Sequence, residues 1–488
     1  MPPCPPHFFK ARLLLSVMFT SALAGCAMGT DYVRPATALP AQHHPAPVAE
    51  TSETIIQAEW WQLFKDATLN HLVTQMLADN QDLHAALARL AASEAAAREA
   101  GAERYPAIGL SANQSRTRTS GETALGQISG SALYPNRRAA LSLGYEFDFW
   151  GRVQRSNEAA RAELLASQFG RDSLQLALVG ELIQTYLTLR SDDEQLTITR
   201  NLLATHQKSI QIVQARVTAG AASALDLHRA ESAFHAAEAQ LSQLQRVRAL
   251  SQNQLGLLTG QPALTLPMAV FKQWPQPPMP PVGLPSALLE ARPDVRQAEE
   301  KLIAAQARIG VAKAAYFPTI GLTGLYGSES AALAQLFTGG AGLWSAAIGL
   351  TMPIFDAGKT SARVAQTTAL QAESLAHYRK TVQLAFREVS DALVNLREYT
   401  AEDTALSAQA TAAQQALRLA QTRYAAGYVG YMDVLDTQRT FHAAQLQQVQ
   451  TQVRAAELPR VDETLDGLVT GDDRREGDHR DDEHGPTP

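Results

Sequence analysis

Residues 423–439, RYAAGYVGYMDVLDTQR, restate residues 216–232, RVTAGAASALDLHRAES, at a constant offset of 207 (423 − 216). At that offset Arg216 meets Arg423, Ala219 meets Ala426, Gly220 meets Gly427 and Asp226 meets Asp433. The register continues: Phe234, His235, Ala236 and Ala237 fall on Phe441, His442, Ala443 and Ala444, and Gln240 and Gln243 fall on Gln447 and Gln450. A gapless match of this length means one structural unit built twice. Each copy reads as helix, glycine turn, helix, with an aspartate just past the turn.

Ahead of each turn lies a long segment of helical period. From Arg152 to Val217 no proline interrupts, and Leu182, Leu189, Leu196, Leu203, Ile210 and Val217 recur every seventh residue, the period of a coiled coil. The same positions in the second copy are Val389, Leu396, Asp403, Ala410, Leu417 and Tyr424, with Asp403 as the one violation. A helix of about 65 residues is on the order of 100 Å long, the scale of a periplasm-crossing strut. Beyond the first turn Leu227, Ala230, Phe234, Ala237, Leu241 and Leu244 keep three-four spacing. Another helical run, Ala-rich, is expected from near Trp60 to Arg104, where Tyr105-Pro106 ends it.

Ahead of each long helix the period changes to two. Leu141, Leu143, Tyr145, Phe147 and Phe149 alternate with Ser142, Gly144, Glu146 and Asp148. Trp344, Ala346, Ile348, Leu350, Met352 and Ile354 alternate in the same way with small or polar residues. Such alternation predicts strands with one apolar and one polar face. Upstream partners begin at YPAIGL (105–110) and FPTIGL (317–322), which echo one another, and Gly/Ser/Ala-rich loops (120–136 and 327–343) join each pair. Tyr105, Phe147, Phe149, Trp150, Tyr326 and Trp344 crowd the strand ends, as in the aromatic girdles of membrane barrels. The competing reading is a soluble antiparallel sheet. On the membrane reading, four strands cannot close a barrel, for which about eight is the minimum, and an open edge in lipid leaves backbone groups unpaired. Several copies must then complete it.

The net charge of −6 argues against nucleic acid as a partner. The two cysteines, Cys4 and Cys26, allow no disulfide framework and no cysteine-based zinc site. Lys10 and Arg12 precede an apolar run from Leu13 to Ala24, of signal-peptide length and too short to span a bilayer. It ends in Leu23-Ala24-Gly25-Cys26, a match to the bacterial lipobox. Cys26 is therefore the expected lipidation site, and the acyl chains would anchor the mature chain to membrane lipid; Ala27 after it favours the outer membrane, by analogy with bacterial lipoproteins. The His43-His44 pair sits on the Pro-rich tether and reads as solvated rather than metal-binding. No catalytic set emerges. His235 and His442 occupy equivalent repeat positions, which suggests packing, and Gly339, Gly340 and Gly342 lack the Gly-Lys-Ser/Thr of a phosphate loop. The protein is read as a non-enzyme without cofactor or metal.

Lipobox, paired hairpins, paired long helices and tandem duplication together resemble the TolC-like outer-membrane efflux channels, in their NodT-type lipoprotein branch. The resemblance covers residues 26–466. It is carried by TDYVRP (30–35), WWQLFKDATLNHLV (60–73), ARPDVRQAE (291–299), IGVAKAAYFPTIGL (309–322) and RYAAGYVGYMDVLDTQR (423–439). It implies an α+β membrane protein: a homotrimer with a 12-stranded β-barrel, four strands per chain, continuing into a long α-helical periplasmic barrel closed at its tip. A periplasmic adaptor and an inner-membrane pump, of resistance-nodulation-division type, dock there. The function implied is the passive exit duct of a tripartite efflux pump. The rivals are a periplasmic coiled-coil adaptor or scaffold lipoprotein, which would lack the aromatic strands, and a channel for type I protein secretion.

By the same resemblance Asp433 and Asp436 match the aspartates ringing the narrowest point of the tunnel. Tyr424 and Asp226 match partners in a link between neighbouring inner helices that holds the tip shut. Some members carry an arginine shortly after the turn glycine; here Tyr428, Val429 and Gly430 follow Gly427, so either Tyr424 with Asp226 carries the link alone or Arg423, Arg216 or Arg229 substitutes. Without the resemblance, Asp433 and Asp436 at i and i+3 read better as a solvated helix face. The expected organisation is a signal peptide (1–25), a lipid-anchored extended tether (26–59), a first repeat (60–258; strands about 107–119 and 137–150, helical hairpin 152–258), and a Pro-rich connector (259–285). A second repeat (286–466; strands about 318–327 and 343–355, helical hairpin 356–466) and a disordered charged tail (467–488) complete it.

Overall fold

The computed structural model describes residues 28–36, 59–129, 133–271, 274 and 292–456. The signal peptide, Cys26, the His43-His44 pair, most of the tether, residues 275–291, the end of the second hairpin (457–466) and the charged tail lie outside the described residues. The chain forms two compact units, and each draws on both halves of the sequence. One comprises residues 1–36, 89–168 and 297–378; the other comprises 37–88, 169–296 and 379–488.

The first unit holds a four-stranded antiparallel sheet, β1 (Ala107–Arg118), β2 (Leu133–Phe147), β3 (Thr319–Ser330) and β4 (Gly342–Thr351), in sequential order. Ile108 pairs with Leu143, Leu110 with Leu141, Leu141 with Tyr326, and Tyr326 with Trp344. Directly paired residues share a face, so every large apolar side chain of the alternation falls on one side. That side is bare: Ile108 is 71% exposed, Leu110 77%, Trp344 77% and Ile348 73%. The opposite face carries Gly109, Ser111, Asn113, Ser142, Gly144, Thr323 and Gly349.

The strand ends differ from expectation. β2 stops at Phe147, short of 150. Asp148 instead accepts the Gln154 N–H (2.7 Å), and Glu146 takes a two-pronged bond from Arg152 (2.8 and 2.9 Å), turning the chain into helix. β4 stops at Thr351, short of 355, because Pro353 has no N–H to extend the ladder. Asp356 then accepts the N–H groups of Gly358 (3.0 Å) and Thr360 (2.9 Å), with Ala357 and Gly358 both at positive φ (52° and 83°). At the far ends β2 begins at Leu133 and β3 runs to Ser330. The first loop contains a short helix, α3 (Ala124–Ser129).

Residues 28–34 dock onto this unit. Met28 N–H bonds Trp150 O (3.0 Å), Arg155 pairs with Asp31 (2.7 Å), and Arg34 forks onto buried Glu299 (2.7 and 2.9 Å). Gly310 makes room for this strap: a Cβ there would lie 2.6 Å from Met28 O.

The expected run from Trp60 to Arg104 is a short 3-10 helix (Trp60–Phe64) followed by two α-helices, α1 (Ala67–Asp79) and α2 (Gln81–Ala102). Buried Asn80 separates them, accepting the N–H groups of Asp82 and Leu83 while donating to Leu258 O (2.9 Å). The long hairpins are α4 (Arg152–Thr218) with α5 (Ala224–Leu258), and α7 (Lys359–Ala425) with α8 (Tyr431–Ala456); α6 (Pro293–Ala314) precedes β3.

In the second unit the heptad residues Leu182 and Leu189 are fully buried against Trp60, Trp61, Phe64, Leu69, Leu72, Leu255, Val449 and Val453. Asp403, the violation, stays on the half-buried seam with Oδ1 lacking a partner. Fully buried Asp193 accepts from Arg190 (3.1 Å), from Arg248 and from Ala269 N–H (3.1 Å). Arg248 also donates to Leu266 O (2.9 Å), so charged groups tie the start of the connector to both helices.

Candidate functional site

The two glycine turns lie in the second unit and are built alike. Helix α4 ends with Ala219 N–H to Ala215 O (3.1 Å), Gly220 N–H to Val217 O (3.0 Å) and Ala221 N–H to Arg216 O (2.7 Å). Helix α7 ends with Ala426 to Thr422 (3.1 Å), Gly427 to Tyr424 (3.1 Å) and Tyr428 to Arg423 (2.9 Å). Every donor and acceptor moves by the offset of 207. The pattern is a Schellman cap, which needs a left-handed residue; Gly220 (φ 71°) and Gly427 (φ 80°) supply it.

The restarting helices are capped alike too. Ser223 Oγ accepts Asp226 N–H (3.3 Å) while Asp226 Oδ2 accepts Ser223 N–H (3.4 Å), a capping box. Asp433 Oδ2 accepts Gly430 N–H (3.2 Å), the same half of that box. The repeated aspartate therefore has a helix-starting duty in both copies, which sequence reasoning missed. The Ser223-x-x-Asp226 spacing was the available signal.

The copies then diverge. Tyr431, Val434, Leu435 and Gln438 are buried, whereas Asp433 and Asp436 stand together on the exposed face of α8. Where Asp436 would repeat, the first copy has Arg229, paired with Asp226 (3.6 Å). Among the described residues Asp436 makes no ion pair, so its charge faces outward.

Tyr424 and Asp226 are not hydrogen-bonded to each other within the chain: the buried Tyr424 hydroxyl has no partner there. The Arg216 guanidinium instead lies over the Tyr424 ring (4.4 Å to the centroid) and donates to Ala425 O (3.2 Å). The Tyr431 ring packs against that of Tyr424 (5.7 Å between ring centres). Arg216 thus ties the end of α4 to the end of α7, while Arg423 is exposed. Beneath lies a shared core of Val213, Ala230, Ala233, Ala420, Val434 and Leu435.

His235 and His442 do not share an environment. His235 is exposed and bonds Glu238 (2.8 Å); His442 is buried close to buried His206. Burial holds both buried imidazoles below the ordinary histidine range, and His206 is lowered further by His442 and Arg439. Among the described residues no group of three or more His, Cys, Asp or Glu could hold a metal ion, and no helix is long and apolar enough to cross a membrane. The chemistry on offer is an anionic helix face held on a doubled, capped turn.

A family model described as outer membrane efflux protein matches residues 72–261 and 284–466. The chain is 35% identical over 443 residues to the probable efflux pump outer membrane protein TtgC of Pseudomonas putida, covering 89% of this chain and 91% of that protein. It is 34% identical over 438 residues to outer membrane protein OprJ of Pseudomonas aeruginosa, covering 89% and 90%. The solved structure of the outer-membrane channel OprN superposes with a TM-score of 0.82 at 29% identity, covering 91% of this chain and 99% of that one.

Proposed function

The chain belongs to the outer membrane efflux protein family, and from that premise we propose that three copies form the gated exit duct of a tripartite efflux pump. The outer-membrane efflux role belongs to the family, whose members are channels and not enzymes. The adaptor reading, which predicted no aromatic strands, is set aside by β1–β4.

The observation that carries the assembly is the sheet. It has one predominantly apolar face, an opposite face of mostly small and polar residues, and no strand partner on the outer sides of β1 and β4 among the described residues. In hydrocarbon those edges need partners. Three copies supply twelve strands, with apolar side chains toward lipid and the polar face lining an aqueous lumen. A periplasmic adaptor and an inner-membrane pump of resistance-nodulation-division type complete the machine. Cys26 carries the lipid anchor; the strap beginning two residues later is bonded to Trp150, beside the aromatic end of β2.

Asp433 and Asp436 form the periplasmic constriction. Around a threefold axis their exposed face becomes a ring of like charge that draws cations. The Tyr424 hydroxyl, unpartnered in one chain, takes its partner from Asp226 of a neighbouring chain and so latches the closed state. The test is purification from outer-membrane fractions followed by planar-bilayer recording. The reading expects heat-modifiable trimers whose small conductance rises in Asp436→Ala. Monomers without strand signal, or a conductance indifferent to Asp436, would sink it.

A further inference from the structure

We propose that Arg138 and Glu329, repeated in three copies, form a charge-balanced ring on the inner wall of the barrel and set the charge selectivity of its outer half. The inference rests on reading the small polar face of the sheet as the wall of an aqueous lumen.

Arg138 of β2 stands directly opposite Glu329 of β3, and Asn113 of β1 stands opposite Arg138. Directly paired and alternate residues share a face. All three therefore lie on the side of Gly109, Ser111, Ser142 and Thr323, not on that of Leu141 and Tyr326. Glu329 donates its N–H to Ala341 O (2.8 Å), which carries the row to the start of β4. Glu146, on the same face, lies eight residues further along β2, about 27 Å at the rise of a strand. The row is thus at the loop end of the sheet, and Glu146 is at the end that leads into helix α4.

Taken through the pairings of all four strands, the charged residues of this face are Arg138, Glu329 and Glu146. Glu146 is already answered by the fork of Arg152 (2.8 and 2.9 Å). Every other position is Gly, Ala, Ser, Thr, Asn, Leu or Tyr, so hydration of the wall does not require a charge in this row. Nor does the fold require one. Arg138 Nε is 3.8 Å from Glu329 Oε2, and the side chains are 42% and 40% exposed; ion pairs of that kind add little to stability. Glu329 is the better held of the two, accepting from Asn136 (2.8 Å). What the pair does change is the field along the duct. Low-dielectric walls focus charge onto whatever passes between them, and a ring of one sign selects against its own sign. Glu329 alone would make a ring of carboxylates, and Arg138 alone a ring of guanidinium groups. Side by side they cancel, and the outer half of the duct admits solutes of either charge.

The full-length protein is recorded in planar bilayers under a KCl gradient, both as wild type and in an Asp436→Ala background that takes charge out of the constriction. Glu329→Gln should move the cation-to-anion permeability ratio at least about two-fold toward anions, and Arg138→Gln at least about two-fold toward cations. Arg138→Gln/Glu329→Gln and the exchanged pair Arg138→Glu/Glu329→Arg should return the ratio to its starting value. Single variants that leave the ratio unmoved, or move it in the same direction, overturn the ring, as does a double variant displaced as far as a single one. Asn113→Cys keeps the pair intact and can be modified after assembly, so it needs no altered charge during folding. An anionic thiosulfonate attached there should shift the ratio toward cations and a cationic one toward anions, while Leu110→Cys should not react with either water-soluble reagent. Leu110→Cys reacting while Asn113→Cys stays silent sinks the lumen-wall reading and the ring with it. A modified Asn113→Cys with an unmoved ratio sinks the ring alone.

Discussion

Asp226 and Asp433 lie 207 residues apart, and each accepts the backbone N–H of the residue three positions earlier, at 3.4 Å and 3.2 Å. The duplication has kept a helix cap, and only the second copy has added a further carboxylate one turn on, at Asp436. Cap and gate are therefore separable. Asp433→Asn keeps an acceptor and removes the charge, whereas Asp433→Ala removes both. Both variants should weaken block by multivalent cations in planar bilayers. Only the alanine variant should lose about 1 kcal/mol of stability, read from chemical denaturation. Asp436→Ala should change the conductance and leave stability unmoved; a stability loss there equal to that of Asp433→Ala would contradict the division.

Arg216 and Tyr424 couple the two hairpins inside one chain. A cation over an aromatic face at a half-buried site contributes about 1 kcal/mol. In a double-mutant cycle Arg216→Ala and Tyr424→Ala should therefore be non-additive by roughly that amount. Tyr424→Phe keeps the ring and discards only the hydroxyl, which has no partner in the chain. On the latch reading it should raise resting conductance as far as Asp226→Asn does, and the double variant should add nothing more. A silent Tyr424→Phe would place the closing force in the Arg216 contact alone.

Much of this was legible in the sequence, and the residues show why. The period-two alternation at Leu141–Phe147 and Trp344–Leu350 fixed strands and faces, since in a sheet the period is the face. The heptad through Leu182 and Leu189 marked a seam that is fully buried. What stayed hidden depended on contacts between distant segments. Nothing local says that Asn80 donates to Leu258, or that Arg216 lies over the Tyr424 ring. The fates of His235 and His442 diverge for the same reason: equivalent positions in a repeat meet different neighbours, and only His442 has His206 beside it.

Two buried titrations in the second unit push stability in opposite directions with pH. His206 and His442 are held below 6.5, so near and below that pH the unfolded chain binds protons that the folded chain refuses. Their contribution is full above about pH 6.5 and is lost on acidification. Asp192 is raised by burial from 3.8 to about 6, against the opposing hydrogen bond of Ser251. The folded chain holds that proton more tightly, so stability is full below about pH 4 and falls as pH rises through about 6. Asp192→Asn should accordingly exceed wild type at pH 8, by at most about 3 kcal/mol, and match it below pH 4. His442→Gln should flatten the decline between pH 7 and 5. Thermal midpoints across pH 4–8 check both, and an Asp192→Asn advantage that persists undiminished at pH 4 would refute the assignment.

The strap offers the sharpest steric test. Gly310 faces Met28 O, and a Cβ at that position would lie 2.6 Å from it and 2.9 Å from Arg155 Cγ. The carbonyl is backbone and cannot swing aside, while Arg155 is held by Asp31 and Glu158 at 2.7 Å each. Gly310→Ala must therefore displace residues 28–34 rather than repack around them. In the helix itself alanine is the better former, by about 1 kcal/mol, so α6 should persist. The expected outcome is a protein of normal helix content by circular dichroism in which chymotrypsin cuts after Tyr32 much faster than in wild type, because the bonds of Tyr32 and Arg34 to Glu299 are lost. Glu299→Gln, which weakens the same fork without touching Gly310, should show a smaller acceleration at the same bond. Unchanged cleavage after Tyr32 in Gly310→Ala would mean that the strap does not depend on this close approach.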